Sequence, residues 1–306
     1  MRLSGSDLRL LQVFDAVARH GGFTAAEAEL NISASTISNH MTALEERFGI
    51  KLCQRGRMGF RLTEKGEVVL DAARRLFTSI SDFDAEIGAL RGTLTGELRI
   101  GLVDSIVTDP QSRISQAIAA FGERDGSVSL TLMQNRPQEL QQKVYDGDYH
   151  CGIGSFPHII SGLEAIPLYE EQHFLYAAST HPLFASGEGI TLEKLKSHAF
   201  TRRGYWRAAD EKRLLLGPVE STVHQIEPQL MLVRSGRYLG FLPEHLTKPW
   251  VEAGELKAVL PEQIAYTCTF SLILRKGYRK TETLRTFLSD ILEAHRSASQ
   301  RPFRSP

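Results

Sequence analysis

The stretch that decides the fold is residues 31–49, NISASTISNHMTALEERFG. Ser33 is placed to cap a helix, because its hydroxyl can accept from the backbone N–H groups just ahead of it. Apolar residues then recur at steps of four, three and four and define one buried stripe: Ile37, Met41, Leu44 and Phe48. The short polar side chains on the opposite face are Ser35, Asn39 and Thr42. The pattern predicts an amphipathic helix whose polar face is either solvated or used for contact, and periodicity alone favours solvation.

The residues upstream of this stretch predict two more helices. Asp7–His20 is amphipathic, and two glycines follow it. Thr24 can cap a short helix over Ala25–Leu30, and Glu27, three residues later, completes a capping box. A tight turn at residues 31–33 then leads into the next helix. Two helices joined by such a turn are typical of a helix-turn-helix, whose second helix enters the major groove of DNA.

Two short strands are predicted downstream, at residues 51–53 and 60–62. The glycine-bearing hairpin between them, Gln54–Gly59, carries Arg55 and Arg57 at its tip. Glycine allows the positive φ angles that such a tip needs, and arginine there can neutralise phosphate or enter the minor groove. A basic tip that serves solubility alone is the other interpretation. Beside a polar-faced helix, the pattern favours a winged helix-turn-helix.

Residues 6–66 closely resemble the N-terminal DNA-binding domain of LysR-type transcriptional regulators. The resemblance is carried by DLRLLQVFDAVARHGGFTAAEAELNISASTISNHMTALEERFGIKL, which starts at Asp7, and by RLTEKG, which ends at Gly66. Ala34 stands where family members often have Gln, and Asn39 where they often have Arg or Lys. Those positions commonly contact DNA in the family, so the docking mode is expected to hold while the preferred base sequence differs. Asn39 can read adenine, whereas arginine favours guanine.

The helix face, the hairpin and the resemblance together predict the DNA-contacting residues. They are Thr24, Ser33, Ala34, Ser35, Thr36, Ser38, Asn39, His40, Arg55, Arg57 and Arg61. The whole chain has 36 lysines and arginines against 36 aspartates and glutamates, so its net charge does not indicate nucleic acid. Over residues 44–65, however, basic residues outnumber acidic ones. A dimer would double this local surplus.

A long apolar stripe predicts a dimerisation helix after the winged domain. Its members step by four and three without a break: Val69, Ala73, Leu76, Ile80, Phe83, Ile87 and Leu90. A second copy of the chain is expected to cover the stripe through Leu76, Ile80, Phe83, Ile87 and Leu90. Packing against the chain's own C-terminal part is the alternative. In the family that the chain resembles, this linker helix joins two protomers, which implies a spaced, pseudo-palindromic operator.

Strands and helices alternate after residue 97, which predicts an α/β architecture with a mostly parallel sheet. The predicted organisation is a winged helix-turn-helix domain (1–65), a linker helix (66–93) and a two-lobed effector domain (94–306). Lobe I would comprise 97–167 and 268–296, and lobe II 168–267. This layout resembles the effector domain of LysR-type regulators and the periplasmic solute-binding fold.

Ligands of such sheets bind beyond the carboxyl ends of strands. This rule predicts an effector site made of Ser105, Ile106, Gln134, Asn135, Thr201, Arg202, Arg203, Tyr205, Trp206, Thr222 and His224. The cluster at 201–206 could hold an anion or an aromatic acid through paired hydrogen bonds and stacking. Interface ion pairs and simple packing are its other interpretations. The resemblance implies that the hydroxyl of Ser105 contacts the effector.

Several other classes of protein lack support in the sequence. Cys53, Cys151 and Cys268 lie far apart and form no CxxC pattern, which argues against a disulfide framework or a zinc site. Redox pairing of the second and third stays open. No nucleophile elbow, Walker loop or HExxH motif is present, so no enzyme, cofactor or metal is predicted. The chain has no apolar run of about 20 residues and no signal-like start. A cytoplasmic protein without membrane contact is expected.

The sequence therefore predicts a bacterial, ligand-responsive and sequence-specific transcriptional regulator. Its expected partners are promoter DNA, RNA polymerase, a small effector such as a carboxylate or aromatic acid, and further copies of itself in a homodimer or homotetramer. The effector would bind in the cleft between the lobes and change the arrangement of protomers and the bending of DNA. The alternative is an α/β solute-binding or enzymatic protein with an N-terminal protein-interaction domain.

Overall fold

The structure is a computed structural model that describes residues 3–54, 59–124, 126–185, 189–206, 214–277 and 281–299. The chain divides into two compact units, Met1–Phe83 and Asp84–Pro306, and each is described by itself. The change from one to the other falls inside a long helix. None of the described helices combines the length and apolar character needed to cross a membrane.

The first unit is the predicted winged helix-turn-helix. Its helices are α1 (Gly5–His20), α2 (Phe23–Leu30), α3 (Ala34–Phe48) and the first part of α4 (Glu64–Leu90). Strands β1 (Cys53–Gln54) and β2 (Arg61–Leu62) pair antiparallel, as expected for the base of a wing. The core contains the predicted stripe of α3, in which Ile37, Met41 and Leu44 are fully buried.

The prediction of a capping box between Thr24 and Glu27 is wrong. Helix α2 begins at Phe23 with Gly22 as its cap residue, so Thr24 lies within the first turn. Glu27 accepts instead from the backbone N–H of Ala34, the first residue of α3. An unpaired N–H at a helix start attracts a carboxylate through both the hydrogen bond and the helix dipole. Glu27 therefore joins α2 to α3 across the turn.

Helix α3 is joined to the base of the wing by a buried carboxylate. Glu45, 5% exposed, accepts from the backbone N–H groups of Leu52 at 2.9 Å and Cys53 at 3.4 Å, and from the ammonium of Lys51 at 2.6 Å. Leu52, the residue before β1, also constrains the start of α4. A Cβ on Gly66 would lie 1.9 Å from the carbonyl oxygen of Leu52, so only glycine fits there.

The second unit is built on a seven-stranded sheet and a smaller two-stranded one. The strands are β3 (Leu94–Leu102), β4 (Gly126–Gln134), β5 (Cys151–Ser155), β6 (Leu163–Ala178), β7 (Phe200–Arg203), β8 (Val219–Val223), β9 (Gly240–Pro243), β10 (Leu256–Ala258) and β11 (Ala265–Arg275). The helices are α5 (Ile114–Gly122), α6 (Pro137–Asp146), α7 (Leu192–Leu195), α8 (Ile226–Arg234), α9 (Glu244–Glu252) and α10 (Glu282–Ser299). Short 3-10 turns lie at Ile106–Thr108 and Pro182–Phe184.

The sequence predicted a mostly parallel sheet, and this prediction is wrong. The observed order of the strands is β10-β6-β11-β5-β3-β4, and β9 also pairs with β6. Parallel pairing is confined in this sheet to β3 with β4 and β5, and β6 and β11 run antiparallel to their neighbours. Strand β6 is one continuous strand of 16 residues. Strands β6 and β11 are long enough to pass through both halves of the unit. Because one strand carries the chain into one half and the other carries it back, the two pair antiparallel.

Separate apolar cores lie at the two ends of these long strands. One packs β3, β5 and the start of β6 against α5, α6 and α10. The others surround the end of β6, β9, α8 and the segment 195–200. The confirmed architecture is thus a winged helix-turn-helix, a long helix and a two-lobed α/β part, and the residue boundaries given for the lobes remain a prediction.

Candidate functional site

Helix α3 presents a polar face away from the core. Ser33 caps the helix as predicted, and its hydroxyl accepts from the backbone N–H of Thr36 at 3.3 Å. Ser33, Ser35 and Asn39 are exposed. The remaining predicted contact residues of the helix are half-buried: Ala34, Thr36, Ser38 and His40. The face is therefore open to a partner along the first two turns.

The polar groups on this face differ in their availability. The hydroxyl of Ser33 also lies 2.8 Å from that of Ser35 and 3.0 Å from that of Thr36, so these three form a local cluster. No described residue is found within hydrogen-bonding distance of the Asn39 side-chain amide. An amide offers a donor and an acceptor side by side, which matches the major-groove edge of adenine.

The remaining predicted DNA contacts flank this helix. Thr24 is exposed in the first turn of α2, and Arg61 is exposed on β2. Arg55 and Arg57, predicted for the tip of the wing, lie outside the described residues.

A second candidate site is a cavity of about 340 Å³ in the C-terminal unit. Of the predicted effector residues it is lined by Ser105, Arg203, Tyr205 and Trp206. Ser105 follows β3, and Arg203 is the last residue of β7. The long strands β6 and β11 supply much of the remaining wall. Polar groups and aromatic rings therefore converge on one cavity.

The other predicted effector residues lie outside this cavity wall. Gln134 is exposed at the end of edge strand β4. Asn135 is held by Tyr149, whose hydroxyl donates to it at 2.7 Å. The rest are Ile106, which is buried in an apolar core, and Thr201, Arg202, Thr222 and His224. For Arg202 the position follows from the alternation of side chains along β7, which sends it to the face opposite Arg203.

Arg202 and Arg203 illustrate this alternation. Nε of Arg202 donates to the Thr222 hydroxyl at 3.1 Å, outside the cavity. Arg203 is 5% exposed, and its guanidinium donates to the side chain of Gln229 at 3.0 Å and to the carbonyl of Phe241 at 3.0 Å. It also lies 5.6 Å from the ring centroid of Trp206. A buried, oriented positive charge in a cavity wall is suited to an anion.

Two carboxyl groups, from Glu171 on β6 and from Asp104 just after β3, also line the cavity, as does the thiol of Cys268 on β11. The sequence predicted neither Glu171 nor Cys268 for this site, because the rule applied to it considers residues beyond the carboxyl ends of strands. Burial would raise the pKa of Glu171, but hydrogen bonds from His173 and His245 outweigh it and hold the pKa at about 2. Burial and the neighbouring Arg203 lower the pKa of His173 to about 4. Glu171 is thus an anion next to a neutral imidazole.

Asp104 is the second carboxyl group, and it joins strand β3 to helix α8. It accepts from the backbone N–H of Ile226 at 2.5 Å, at the start of α8. The next residue, Ser105, has a positive φ of 59° and donates to Glu227 at 3.0 Å. Burial, with a smaller contribution from the negative charge of Glu227, raises the pKa of Asp104 to about 6.

Cys151 and Cys268 lie in surroundings that disfavour redox reactivity. Burial raises the pKa of Cys151 and of Cys268 to about 12 each. A thiol with such a pKa is protonated near neutral pH and reacts slowly with oxidants. The redox pairing left open by the sequence therefore has no support in the environment of either thiol.

The comparisons with known proteins cover both units. The family model described as "Bacterial regulatory helix-turn-helix protein, lysR family" matches residues 8–67. The model "LysR substrate binding domain" matches residues 91–296. The HTH-type transcriptional activator BauR of Pseudomonas aeruginosa is 35% identical over 292 residues, which cover 95% of this chain and 96% of that protein. The probable regulator LrrA of Synechococcus elongatus is 30% identical over 64% of each chain.

Solved structures show the same fold. Full-length CbnR in complex with its target DNA superimposes with a TM-score of 0.63 at 23% identity, covering 94% of this chain and 99% of that one. Full-length LysG of Corynebacterium glutamicum with bound effector Arg gives a TM-score of 0.52 at 20% identity, covering 95% and 98%.

A change of Asp104 to Asn should raise stability more at neutral than at acid pH. The folded state favours the protonated carboxyl, so the native protein loses stability as pH rises from the ordinary pKa of 3.8 to about 6. Asparagine carries no charge and can still accept from Ile226. We expect its Tm to exceed that of the parent by at least about 2 °C at pH 7.5, with the difference vanishing near pH 4.

The measurement is thermal unfolding of parent and variant across this pH range. Asp71→Asn serves as the control, because Asp71 is an exposed carboxylate on α4. A constant difference between Asp104→Asn and the parent at all pH values would contradict the assigned shift.

Proposed function

Because this chain belongs to the LysR family of bacterial transcriptional regulators, and so is a ligand-responsive DNA-binding regulator, we propose how its residues perform the two tasks. Helix α3 enters the major groove of promoter DNA, and the cavity of the C-terminal unit holds the effector. The protein works as a homodimer or homotetramer in the cytoplasm, where the promoter DNA lies. It is not an enzyme, since nothing in the chain or its relatives points to turnover.

The observation that carries the DNA proposal is the division of α3 into two faces. Ile37, Met41 and Leu44 are fully buried, whereas Ser35 and Asn39 on the other side are exposed. Asn39 reads a base edge and Arg61 neutralises phosphate near the wing. The hydroxyls of Ser33, Ser35 and Thr36 position the helix against the sugar-phosphate backbone of the DNA. The roles of Thr24, Ala34, Ser38 and His40 rest on the family resemblance.

Replacing Asn39 with Ala should change which sequences are bound. A library of duplexes is selected with the full-length parent, and the enriched sites are then titrated with each variant. Asn39→Ala should lose about 1–3 kcal/mol of discrimination at one base pair of each half-site. Arg61→Ala should weaken binding to all sequences and reduce the slope of log K against log salt by about 1.

Gln12→Ala is the matched control, because it removes an exposed side-chain amide from α1 instead of α3. It should bind every site as the parent does. If Asn39→Ala retains the parent's base preference at every position, the amide does not read DNA. If no duplex is bound in a salt-dependent manner, the DNA proposal itself fails.

The long helix α4 supplies the surface for pairing. Leu76 packs onto the N-terminal core and Ile87 is half-buried. Other members of the stripe are exposed in a single chain: Ile80 by 38%, Phe83 by 62% and Leu90 by 84%. A row of exposed apolar groups at heptad spacing is typical of a helix that pairs with another copy. We place the dimer contact on this stripe.

Phe83→Glu should weaken self-association of the full-length protein. A charge in the centre of an apolar helix contact removes buried area and leaves an unpaired carboxylate. Sedimentation velocity at several concentrations should show the dimer dissociating at concentrations at least tenfold higher than for the parent. Ala72→Glu, which adds the same charge at an exposed position off the stripe, is the control. Equal behaviour of the two variants would place the contact elsewhere.

The effector proposal rests on Arg203. Its guanidinium is fixed by Gln229 and Phe241 at the cavity wall, beside the rings of Trp206 and Tyr205. We propose a small carboxylate, including aromatic acids, whose anion meets Arg203 and whose body contacts the rings. Ser105 adds a hydroxyl to the cavity wall. Binding changes the balance between arrangements of the two lobes and thereby DNA bending and contact with RNA polymerase.

A panel of small carboxylic and aromatic acids tests this site by thermal shift, followed by calorimetry on the hits. Arg203→Gln should lower the affinity for a hit at least tenfold, whereas Arg202→Gln, one residue earlier but outside the cavity, should leave it unchanged. Ser105→Gly keeps the positive φ and removes only the hydroxyl, so it reports on the site even if Arg203→Gln folds poorly. Parent-like affinity in both cavity variants would contradict the proposal.

A further inference from the structure

A second cluster of polar side chains lies behind the cavity wall. The carboxylates of Asp109 and Glu171 and the imidazole of His245 come within 4.8 Å of one another through single ligand atoms. Their side chains are 3%, 5% and 8% exposed. Asp109 follows the 3-10 turn after β3, Glu171 lies on β6, and His245 lies in the first turn of α9. The cluster therefore joins three separate parts of the unit.

The two ring nitrogens of His245 face different partners. Nδ1 lies 2.8 Å from the hydroxyl of Thr108, which can donate or accept there. Nε2 faces the carboxylates. It lies 2.8 Å from Oε1 of Glu171 and 3.7 Å from Oδ2 of Asp109. With its proton on Nε2 the neutral ring donates to Glu171, and with its proton on Nδ1 three acceptor atoms converge.

Asp109 shows that a proton on His245 does not complete this cluster. A proton on Nε2 would serve Glu171 at 2.8 Å but leave Oδ2 of Asp109 at 3.7 Å. That oxygen is buried and has no hydrogen-bond partner among the described residues, while its companion Oδ1 accepts from Gln111 at 2.8 Å. Buried carboxylate oxygens without a partner are costly. A cation bound by all three atoms would satisfy each of them.

We propose that Asp109, Glu171 and His245 form a binding site for a divalent transition metal, with Zn²⁺ as the best match. Imidazole nitrogen and carboxylate oxygen suit zinc, at bond lengths of about 2.0–2.2 Å. Tetrahedral ligands at such lengths lie roughly 3.4 Å apart, and the observed separations of 2.8 and 3.7 Å lie on either side of this value. Small side-chain rotations would bring both carboxylates to ligand distance from a metal on Nε2 of His245, with a water molecule as the fourth ligand.

The side chains around the three ligands are arranged as metal sites require. The hydroxyl of Thr108 can accept the proton of His245 at Nδ1, which leaves Nε2 free for a metal, and His173 donates to the second oxygen of Glu171. Such outer partners orient ligands and raise their basicity. Because Glu171 also lines the cavity, the metal would join β6 and α9 to the segment after β3 and stiffen the wall that the effector meets.

A neighbouring set of groups, Glu171, His173 and Cys268, is a weaker metal candidate although its atoms are equally close. Arg203, which only donates, points Nη2 at Nδ1 of His173 at 3.3 Å. The proton of this neutral ring is therefore on Nε2, directed at Glu171. His173 has no lone pair left for a metal, so its role is to orient Glu171.

The experiment uses full-length protein stripped with a chelator and titrated with Zn²⁺. We expect one zinc per protomer by elemental analysis after dialysis, with the affinity measured by competition against a fluorescent zinc indicator. Loss of an outer partner alone weakens zinc sites about 10–100-fold. Thr108→Val should therefore weaken zinc binding by at least about tenfold, and Asp109→Asn and His245→Ala by at least about 100-fold. Cys268→Ser should retain parent affinity.

Cobalt provides a second readout that does not depend on the stability of any variant. Co²⁺ bound to the parent should show ligand-field bands without the intense sulfur-to-metal charge transfer that a cysteine ligand produces. Loss of binding in Cys268→Ser, or a thiolate band in the parent, would place the metal in the neighbouring set and overturn the proposal. Absence of stoichiometric zinc in the parent would overturn it too. Both results leave the DNA and effector proposals untouched.

Discussion

The long ladder between β6 and β11 is the constraint on which the effector-binding unit depends. It runs from Ala265 paired with Phe174 to Arg275 paired with Leu163, with a register shift after Phe270. From the middles of these strands, Tyr169 and Phe270 enter an apolar core, while Glu171 and Cys268 reach the cavity wall.

The buried carboxylate of Glu171 on this ladder requires polar neighbours. A carboxylate removed from water needs donors or a cation close by. One oxygen of Glu171 forms a hydrogen bond with His173 and the other with His245. Arg203 in turn orients His173 by donating to its Nδ1. A chain of contacts therefore connects the cavity, at Arg203, to the cluster around Asp109. An anion at Arg203 and a cation at His245 would act on opposite ends of the same chain.

The N-terminal unit depends on a similar device on a smaller scale. Glu45 points inward from α3 and accepts a hydrogen bond from the backbone at the base of the wing. Asp7, at the start of α1, accepts a hydrogen bond from Nε–H of Arg47 at 3.2 Å. Glu27 ties α2 to the start of α3. These carboxylates fix the helix from its buried side and leave the exposed side, with Asn39, for DNA. The buried face of α3 therefore holds the helix in place, and its exposed face is left to contact DNA.

The sequence by itself determined the elements whose signal is local. The stripe of α3, the cap at Ser33, the hairpin strands and the long helix α4 all follow from periodicity and capping, which act within a few residues. It also predicted Ser105, Arg203, Tyr205 and Trp206, because strand ends are visible in the pattern. Only the tertiary structure decided that β6 is one antiparallel strand, that Arg202 turns away from the cavity, and that Glu171, Asp109 and His245 meet. Those outcomes depend on strand direction and on contacts between residues as many as 136 positions apart, for which the chain carries no local period.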